Sequence, residues 1–329
     1  MKKNIAIVMG GYSSEYDISL KSGQTVFESL NRELYRPYRV IIRREGWILL
    51  DDQGNEFPVN RHDFSAQLDG THLLFDCVFN AIHGSPGGDG LLLAYLDLLD
   101  IPYTSCGFYQ AALTFNKRDL LSVLKPRGVY CAQSYQLDKG AEIRPDEILA
   151  QVGLPCFVKA NRAGSSFGVT MVKKPEELRA AIEVAFMEDD EILIETALKG
   201  TEVSVGVLRY EDEVRVLPIT EIIPEGDFFD YKAKYEGKSR EITPARIEAD
   251  LQKKVEDTAR FIYKTLKMKG FSRSEFIIVD QTPYFLEMNT IPGLTAASIL
   301  PAQARAAGIS LPDLFESAIE TALKEKSKF

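Results

Sequence analysis

Glu287 and Asn289 stand two residues apart in Leu286-Glu287-Met288-Asn289-Thr290-Ile291-Pro292-Gly293. On an extended strand that spacing sends both side chains out from one face. Glu275 lies twelve residues before Glu287. Two β-rich runs, residues 276–279 and 284–286, separate them, with Asp280-Gln281-Thr282-Pro283 as the turn. A hairpin of this kind folds Glu275 back towards Glu287. Two carboxylates and an amide oxygen on one face suit Mg²⁺, which takes one or two carboxylates and completes its shell with substrate phosphates. E-x-N alone is a weak signal. Arg273 two residues before Glu275, and Thr-Ile-Pro-Gly-Leu-Thr after Asn289, make it strong.

Three glycine-rich segments add further chemistry. Ala163-Gly164-Ser165-Ser166-Phe167-Gly168 joins two strand-like runs, and its glycines, hydroxyls and consecutive N–H groups suit phosphate oxygens. It has no G-K-[ST] and opens no helix, so it is not a Walker loop. A flexible hairpin tip would look the same, but Lys159 places an ammonium at the base of this one. Met9-Gly10-Gly11-Tyr12-Ser13-Ser14-Glu15 reads as strand, turn and helix start. Its simplest role is a structural turn with an acidic residue favouring the helix dipole. At the carboxyl end of an open sheet, Glu15 can also hold a substrate ammonium. His83 sits in a second such turn, Ala81-Ile82-His83-Gly84-Ser85-Pro86-Gly87-Gly88-Asp89-Gly90. A lone histidine there is more often structural, but two ligand-facing turns in one domain favour function.

These groups need elements to position them. Residues 4–9 read as a strand, Ser13 or Ser14 as the cap of a helix carrying Ile18, Val26 and Leu30, and residues 38–42 and 73–81 as further strands. A helix opens after Gly90. Alternation of this kind points to an open parallel α/β sheet. Residues 104–116 read as a transition and 117–124 as a short helix. Strands at 155–159, 168–172, 191–195, 202–208 and 214–222, with a helix at 175–188, then indicate an α+β half with antiparallel pieces. Residues 223–243 have no clean period, and loops of that length are usually lids, binding loops or disordered. Asp227, Asp230, Tyr231, Lys234 and Tyr235 lie in it. Long helices at 245–267 and 311–324 complete the pattern.

At 329 residues the chain has room for two or three domains, and 45% hydrophobic with 26% charged residues is ordinary for a globular protein. A net charge of -9 argues against a nucleic-acid groove, which needs Lys and Arg. No apolar run approaches the ~20 residues that span a bilayer, and the apolar start after Lys2-Lys3 ends too early for a signal peptide. Cys77, Cys106, Cys131 and Cys156 are widely spaced, as expected of reduced thiols in a cytoplasmic protein.

Taken in order, MGGYSSEYDISLKSG, AIHGSPGGDG, VKANRAGSSFGV, ILIETALKGTEVSV, DFFDYKAKY and RSEF…LEMNTIPGLTAASILP resemble the D-alanine–D-alanine ligases of the ATP-grasp superfamily along nearly the whole chain. The resemblance implies α/β and α+β architecture: an N-terminal substrate domain (1–116), a central ATP-grasp lobe (117–200) and a C-terminal lobe (201–329) carrying the metal site and the lid at 223–243. It implies ATP, two Mg²⁺ ions (Mn²⁺ as an alternative) on Glu275, Glu287 and Asn289, and formation of a peptidoglycan precursor dipeptide through an acylphosphate. Lys117, Lys159 and Ser166 would serve the nucleotide, Glu195, Ala197 and Leu198 its adenine, and Glu202 its ribose. Glu15, linked to Ser165 and Tyr235, would anchor the first D-alanine and close the lid, with His83 nearby. Arg273 and the Gly293 N–H would stabilise the oxyanion. Lys234, Ser298 and Ile299 would take the second substrate. A homodimer is implied, with no nucleic-acid or membrane partner.

Two positions depart from the family pattern: Glu275 stands where most relatives have Asp, and Gly88 where they have Glu. A longer arm at 275 still reaches a hard cation. Lys234-Tyr235 resembles dipeptide-forming members rather than those making D-alanyl-D-lactate. The competing readings are a ligase with another acceptor, D-serine or D-lactate, and a nucleotide-binding regulatory protein without turnover.

Overall fold

The computed structural model describes residues 2–164, 168–224 and 239–324. Its first strand, β1 (Lys3–Gly10), is buried on both faces from Ile5 onward, as a central strand between two layers must be. Helix α1 (Tyr16–Ser29) crosses over to β2 (Tyr35–Ile42), which pairs with β1 in parallel. Small residues bring this helix close: a Cβ at Gly23 would meet the Met9 side chain at 2.6 Å, and Ser19 and Ser22 are buried beside it. The helix begins at Glu15 without a side-chain cap; the Ser13 hydroxyl instead accepts from the Glu15 N–H at 3.3 Å.

Strands β3 (Trp47–Leu50), β4 (Glu56–Asn60), β5 (Ser65–Leu68), β6 (Thr71–Leu73) and β7 (Cys77–Asn80) complete a seven-stranded sheet in the order β6-β5-β4-β3-β2-β1-β7. The expected parallel sheet is thus mixed. Here β1 pairs in parallel with β2 and β7, and Tyr103 bridges Val78 in parallel on the far side of β7, while β2 to β6 form an antiparallel run. The short connections between those strands leave no room for the crossover that parallel pairing requires. Residues 73–81, read as one strand, divide between the end of β6 and β7. Helices α2 (Leu91–Leu98) and α3 (Phe108–Phe115) follow, so the stretch read as a transition contains a helix.

The middle of the chain forms a four-stranded antiparallel sheet, β8 (Ser134–Asp138), β9 (Cys156–Ala160), β10 (Thr170–Val172) and β11 (Glu191–Thr196), in the order β10-β9-β11-β8. Helices α4 (Lys117–Leu124), α5 (Pro145–Val152) and α6 (Leu178–Ala185) accompany it. The core of this lobe is Ile148, Val158, Leu178, Ile182, Ile192 and their neighbours. By contrast, α4 turns Leu120, Leu121 and Leu124 into a different core, shared with Val203, Val205 and Phe276.

Those last residues belong to a six-stranded sheet of β12 (Thr201–Tyr210), β13 (Glu213–Val216), β14 (Thr220–Pro224), β15 (Ser239–Ile242), β16 (Phe271–Val279) and β17 (Thr282–Asn289). Residues 214–222 therefore form parts of two strands rather than one. Both flanks of the aperiodic stretch are paired, with Ile223 opposite Arg240 and Pro224 opposite Ser239. Helices α7 (Ala249–Thr265), α8 (Ile299–Ala306) and α9 (Leu311–Lys324) complete the lobe. On one face of this sheet Val203, Val205, Phe276 and Met288 build the core with α4 and α7. At one end of the other face Leu208 and Phe271 join Phe79 and Phe315 in the core of the first sheet. Further along that second face lie Glu202, Ser204, Arg273, Glu275, Glu287 and Asn289, with the apolar Ile222 and Ile277 opposite Glu202. Among the described residues no helix is long and apolar enough to cross a membrane, and the four cysteines are free.

Candidate functional site

The β16–β17 hairpin turns through Asp280 and Gln281, both with positive φ (45° and 63°), which marks a two-residue type I′ turn. This turn, with a bulge between Glu275 and Phe276, places Glu275 directly opposite Glu287 and Arg273 directly opposite Asn289. Opposed residues on antiparallel strands share a face, so all four side chains project together. Facing carboxylates repel unless cations accompany them. Here Arg273 ion-pairs with Glu275 and also donates to the Ser204 hydroxyl at 3.0 Å. Lys117 Nζ stands 3.8 Å from Glu287 and donates to the Ala163 carbonyl at 2.7 Å. Among the described residues no group of three or more His, Cys, Asp or Glu side chains is arranged to hold a metal. The donor set here has two carboxylates and reaches three oxygens through the Asn289 amide, whose Oδ1 also accepts from the Ile291 N–H at 2.9 Å. In donor chemistry it fits Mg²⁺.

This face borders a cavity of about 100 Å³ lined by Glu15, His83, Lys117, Gly164, Arg273, Glu287 and Asn289. Residues from all three sheet regions meet there. Its volume suits a small amino acid, well below the roughly 300–1,000 Å³ of sites for drug-sized ligands. The Glu15 carboxylate lies against the hairpin stem: a Cβ on Gly164 would come within 2.5 Å of its Oε2, and one on Gly84 within 3.4 Å. Only a residue without a side chain lets both backbones approach this closely.

His83 is clamped rather than free to titrate. Its Nδ1 lies 2.7 Å from the Ile291 carbonyl, which can only accept, so Nδ1 carries the proton. Nε2 then accepts from the Ser22 hydroxyl at 2.9 Å, and Ser22 accepts from the Leu294 N–H at 3.3 Å. Burial pushes its pKa below the usual histidine value, although the Glu15 charge and the Ile291 bond act the other way. The ring lines the cavity and ties the loop after β17 to α1. Its structural and site-facing roles coincide.

Lys159 and Glu195 form a buried ion pair between β9 and β11. Burial works against the Lys159 ammonium, but Glu195, Glu287 and Glu275 outweigh it and its pKa rises. The ammonium therefore belongs to the same electrostatic site as the carboxylates on β16 and β17. The Ala197 N–H donates to the Pro155 carbonyl at 3.0 Å, so the expected backbone contact from Ala197 to adenine is limited to its carbonyl. Leu198 follows in the same segment after β11. Glu202 on β12 is opposite Ile277, and alternation along β12 puts it on the Ser204 and Glu275 face. Gly293 packs against Ser298, since a Cβ there would fall 2.7 Å from Ser298 Oγ. Ser298 bonds Thr295 at 2.9 Å and immediately precedes Ile299 at the start of α8. Ser165, Ser166, Lys234 and Tyr235, with Asp227, Asp230 and Tyr231, lie outside the described residues.

Sequence reading missed Ser22, Ser204 and Asn161. Ser22 sits in a helix with no motif of its own, Ser204 alternates with buried valines, and Asn161 stands between Lys159 and the glycine-rich segment with no motif around it. Their partners come from distant parts of the chain, so no local pattern marks them.

The family model described as D-ala D-ala ligase N-terminus matches residues 4–106, and the one described as D-ala D-ala ligase C-terminus matches residues 130–320. A D-alanine–D-alanine ligase of Flavobacterium johnsoniae is 62% identical over 321 residues, covering 98% of this chain and 99% of the relative. One from Christiangramia forsetii is 60% identical, covering 99% of this chain and all of the relative. Among solved structures, the VanG D-Ala:D-Ser ligase of Enterococcus faecalis superimposes with a TM-score of 0.88 at 34% identity, covering 98% of this chain and 100% of that one. The D-alanine–D-alanine ligase of Bacillus anthracis complexed with ATP gives 0.81 at 27% identity, covering 99% of each chain. With both halves of the chain matched in order and near-complete coverage by relatives of this identity, the chain belongs to the D-alanine–D-alanine ligase family.

Proposed function

We propose that this chain joins two molecules of D-alanine into D-alanyl-D-alanine, cleaving ATP to ADP and phosphate, as a step in making peptidoglycan precursors. The observation that carries the reading is the register of β16 and β17, which brings Glu275, Glu287, Arg273 and Asn289 onto one face beside Glu15. Glu15, Lys117, Arg273, Glu287 and Asn289 border the cavity that would take the first D-alanine.

In the first half, a carboxylate oxygen of one D-alanine attacks the γ-phosphorus of ATP, and ADP leaves. In the second, the neutral amine of another D-alanine attacks the acyl carbon; phosphate departs with the transferred oxygen and the amine loses a proton. Glu15 holds the first ammonium, and His83 shapes the wall beside it. Lys117, Lys159 and Ser166 meet the phosphates, Glu195, the Ala197 carbonyl and Leu198 the adenine, and Glu202 the ribose. Glu275, Glu287 and Asn289 would hold Mg²⁺, which supplies charge neutralisation at the transferring phosphoryl group. Arg273 and the Gly293 N–H face the developing oxyanion, a contribution typically worth several kcal/mol. Ser298, Ile299 and Lys234 take the second carboxylate, and Tyr235 and Ser165 link the lid to Glu15. A cytoplasmic homodimer with no nucleic-acid or membrane partner belongs to the same reading, as does the division into domains at 1–116, 117–200 and 201–329.

A D-serine acceptor is the second reading, favoured by the likeness to the E. faecalis enzyme; the higher identity to the Flavobacterium and Christiangramia ligases favours D-alanine. Phosphate release from ATP, measured with D-alanine, D-serine or L-alanine and with Mg²⁺ or a chelator, tests the proposal. Release that requires both D-alanine and the metal is expected. Equal release without amino acid would refute it.

A further inference from the structure

Asn161 follows β9, two residues after Lys159, and is completely buried. It carries no charge and does not line the cavity beside Glu15, yet every polar group it has is engaged. Its side-chain Oδ1 accepts from the Arg118 N–H at 2.9 Å, and its own carbonyl accepts from the Lys117 N–H at 3.4 Å. Its Nδ2 donates to Asn116 Oδ1 and to Glu191 Oε2, each at 2.9 Å, and its N–H donates to the Glu191 carbonyl at 3.0 Å. Asn116 Oδ1 in turn accepts from the Asp119 N–H at 3.0 Å.

The first three N–H groups of α4 are therefore satisfied, two by Asn161 and one by Asn116. Helix starts normally find such acceptors in their own cap residue or in water. Here the acceptor comes from the end of β9, in a sheet whose core the α4 leucines do not join. The leucines of α4 pack into the core of the six-stranded sheet, whereas Asn161 extends a strand of the four-stranded sheet. The first residue of α4 is Lys117, whose ammonium reaches Ala163 on the hairpin stem and faces Glu287 across the cavity.

We infer that Asn161 is a positioning residue: it fixes how the lobe carrying Lys159 sits on the helix carrying Lys117, and so sets the distance from both ammonium groups to Glu275 and Glu287. This rests on the ligase reading for the reaction it serves. The two Nδ2 bonds give it a chemical signature. Asn161→Asp keeps size and shape and retains an acceptor for Arg118, but turns both donor contacts into oxygen facing oxygen. Glu191→Gln, placed in the same chain, gives one of those oxygens a donor again. A buried network behaves in this coupled way because no water replaces the lost partner.

Steady-state kinetics with ATP varied, ADP titration by calorimetry and thermal melts test this on wild type, N161D, E191Q and N161D/E191Q, all assayed well below the melting temperature. N161D should lower kcat/KM for ATP by about a hundredfold, the scale of loss that a misplaced catalytic group causes, and weaken ADP binding in parallel. E191Q alone should stay near wild type, and the double variant should recover at least about tenfold over N161D. N161S, which keeps one small hydroxyl, gives a milder version if N161D does not fold. Wild-type kinetics and ADP affinity in N161D or N161S, with only the melting temperature lowered, would overturn the inference, as would a double variant no better than N161D. Failure of wild type to consume ATP with D-alanine would instead count against the ligase reading, while the ADP titration still tests Asn161.

Discussion

Glu275 and Glu287 face each other across one pair of strands, and the cost of that repulsion is met by Arg273 on one side and Lys117 on the other. Adding a triphosphate to the same site makes a divalent cation between the carboxylates and phosphates the natural balance of charge. Glu287→Gln removes one negative ligand while keeping the shape, so turnover should fall by about a thousandfold or more with the melting temperature within a few degrees of wild type. Turnover near wild type in a folded E287Q would remove Glu287 from that role. Gly164 makes a different demand. A methyl group there would collide with the end of the Glu15 side chain, which can swing away at little cost in stability. Gly164→Ala should therefore raise the KM for the first D-alanine by roughly tenfold, an ion-pair's loss of about 1.4 kcal/mol, with little effect on the melt; an unchanged KM would place the ammonium elsewhere. That Glu275, Glu287 and Asn289 share a face was legible in the sequence because a period of two and one turn fix it locally. The His83 clamp was not, because its partners Ser22 and Ile291 lie 61 and 208 residues away.

At the scale of elements, the hairpin of β16 and β17 determines the site, and its turn is the place where local sequence and required backbone disagree. Gln281 holds a φ of 63° that a side chain resists. Gln281→Gly should stabilise the fold by about 1 kcal/mol, read as a higher denaturant midpoint, without changing turnover; a loss of stability would show that the Gln281 side chain contributes more than its backbone strain costs. Strong periodicity marked α4, α9 and the core strands of the third sheet. Elsewhere the readings failed for identifiable reasons. In the 73–81 run Asp76 stands at the break between β6 and β7, but a single polar residue between apolar ones also fits one continuous strand. The antiparallel run from β2 to β6 depends on which strands pair, a choice that short connections make and hydrophobicity does not. Buried Ser19, Ser22 and Gly23 gave α1 a core face of small residues, which an apolar count overlooks.

At the scale of the molecule, the cavity exists only where three sheet regions converge, and His83 is one of the ties that hold them. Its pKa is lower when folded than when unfolded. The unfolded chain therefore takes up the proton first as pH falls. Stability is full above the ordinary histidine value of about 6.5 and declines below it, as the buried ring resists the charge. Melts between pH 7.5 and 5 should show this decline, and His83→Asn should flatten it; an equally steep decline in the variant would assign the effect to other groups. Family membership was legible from six ordered blocks, whereas the seam capped by Asn161 emerged only from the assembled lobes. The most direct test of the whole account follows the oxygen atom. D-alanine labelled with ¹⁸O in its carboxylate, turned over with unlabelled ATP, should deliver one ¹⁸O into each phosphate released, because the attacking carboxylate oxygen leaves with the phosphorus. Phosphate free of label, alongside dipeptide formation, would contradict it.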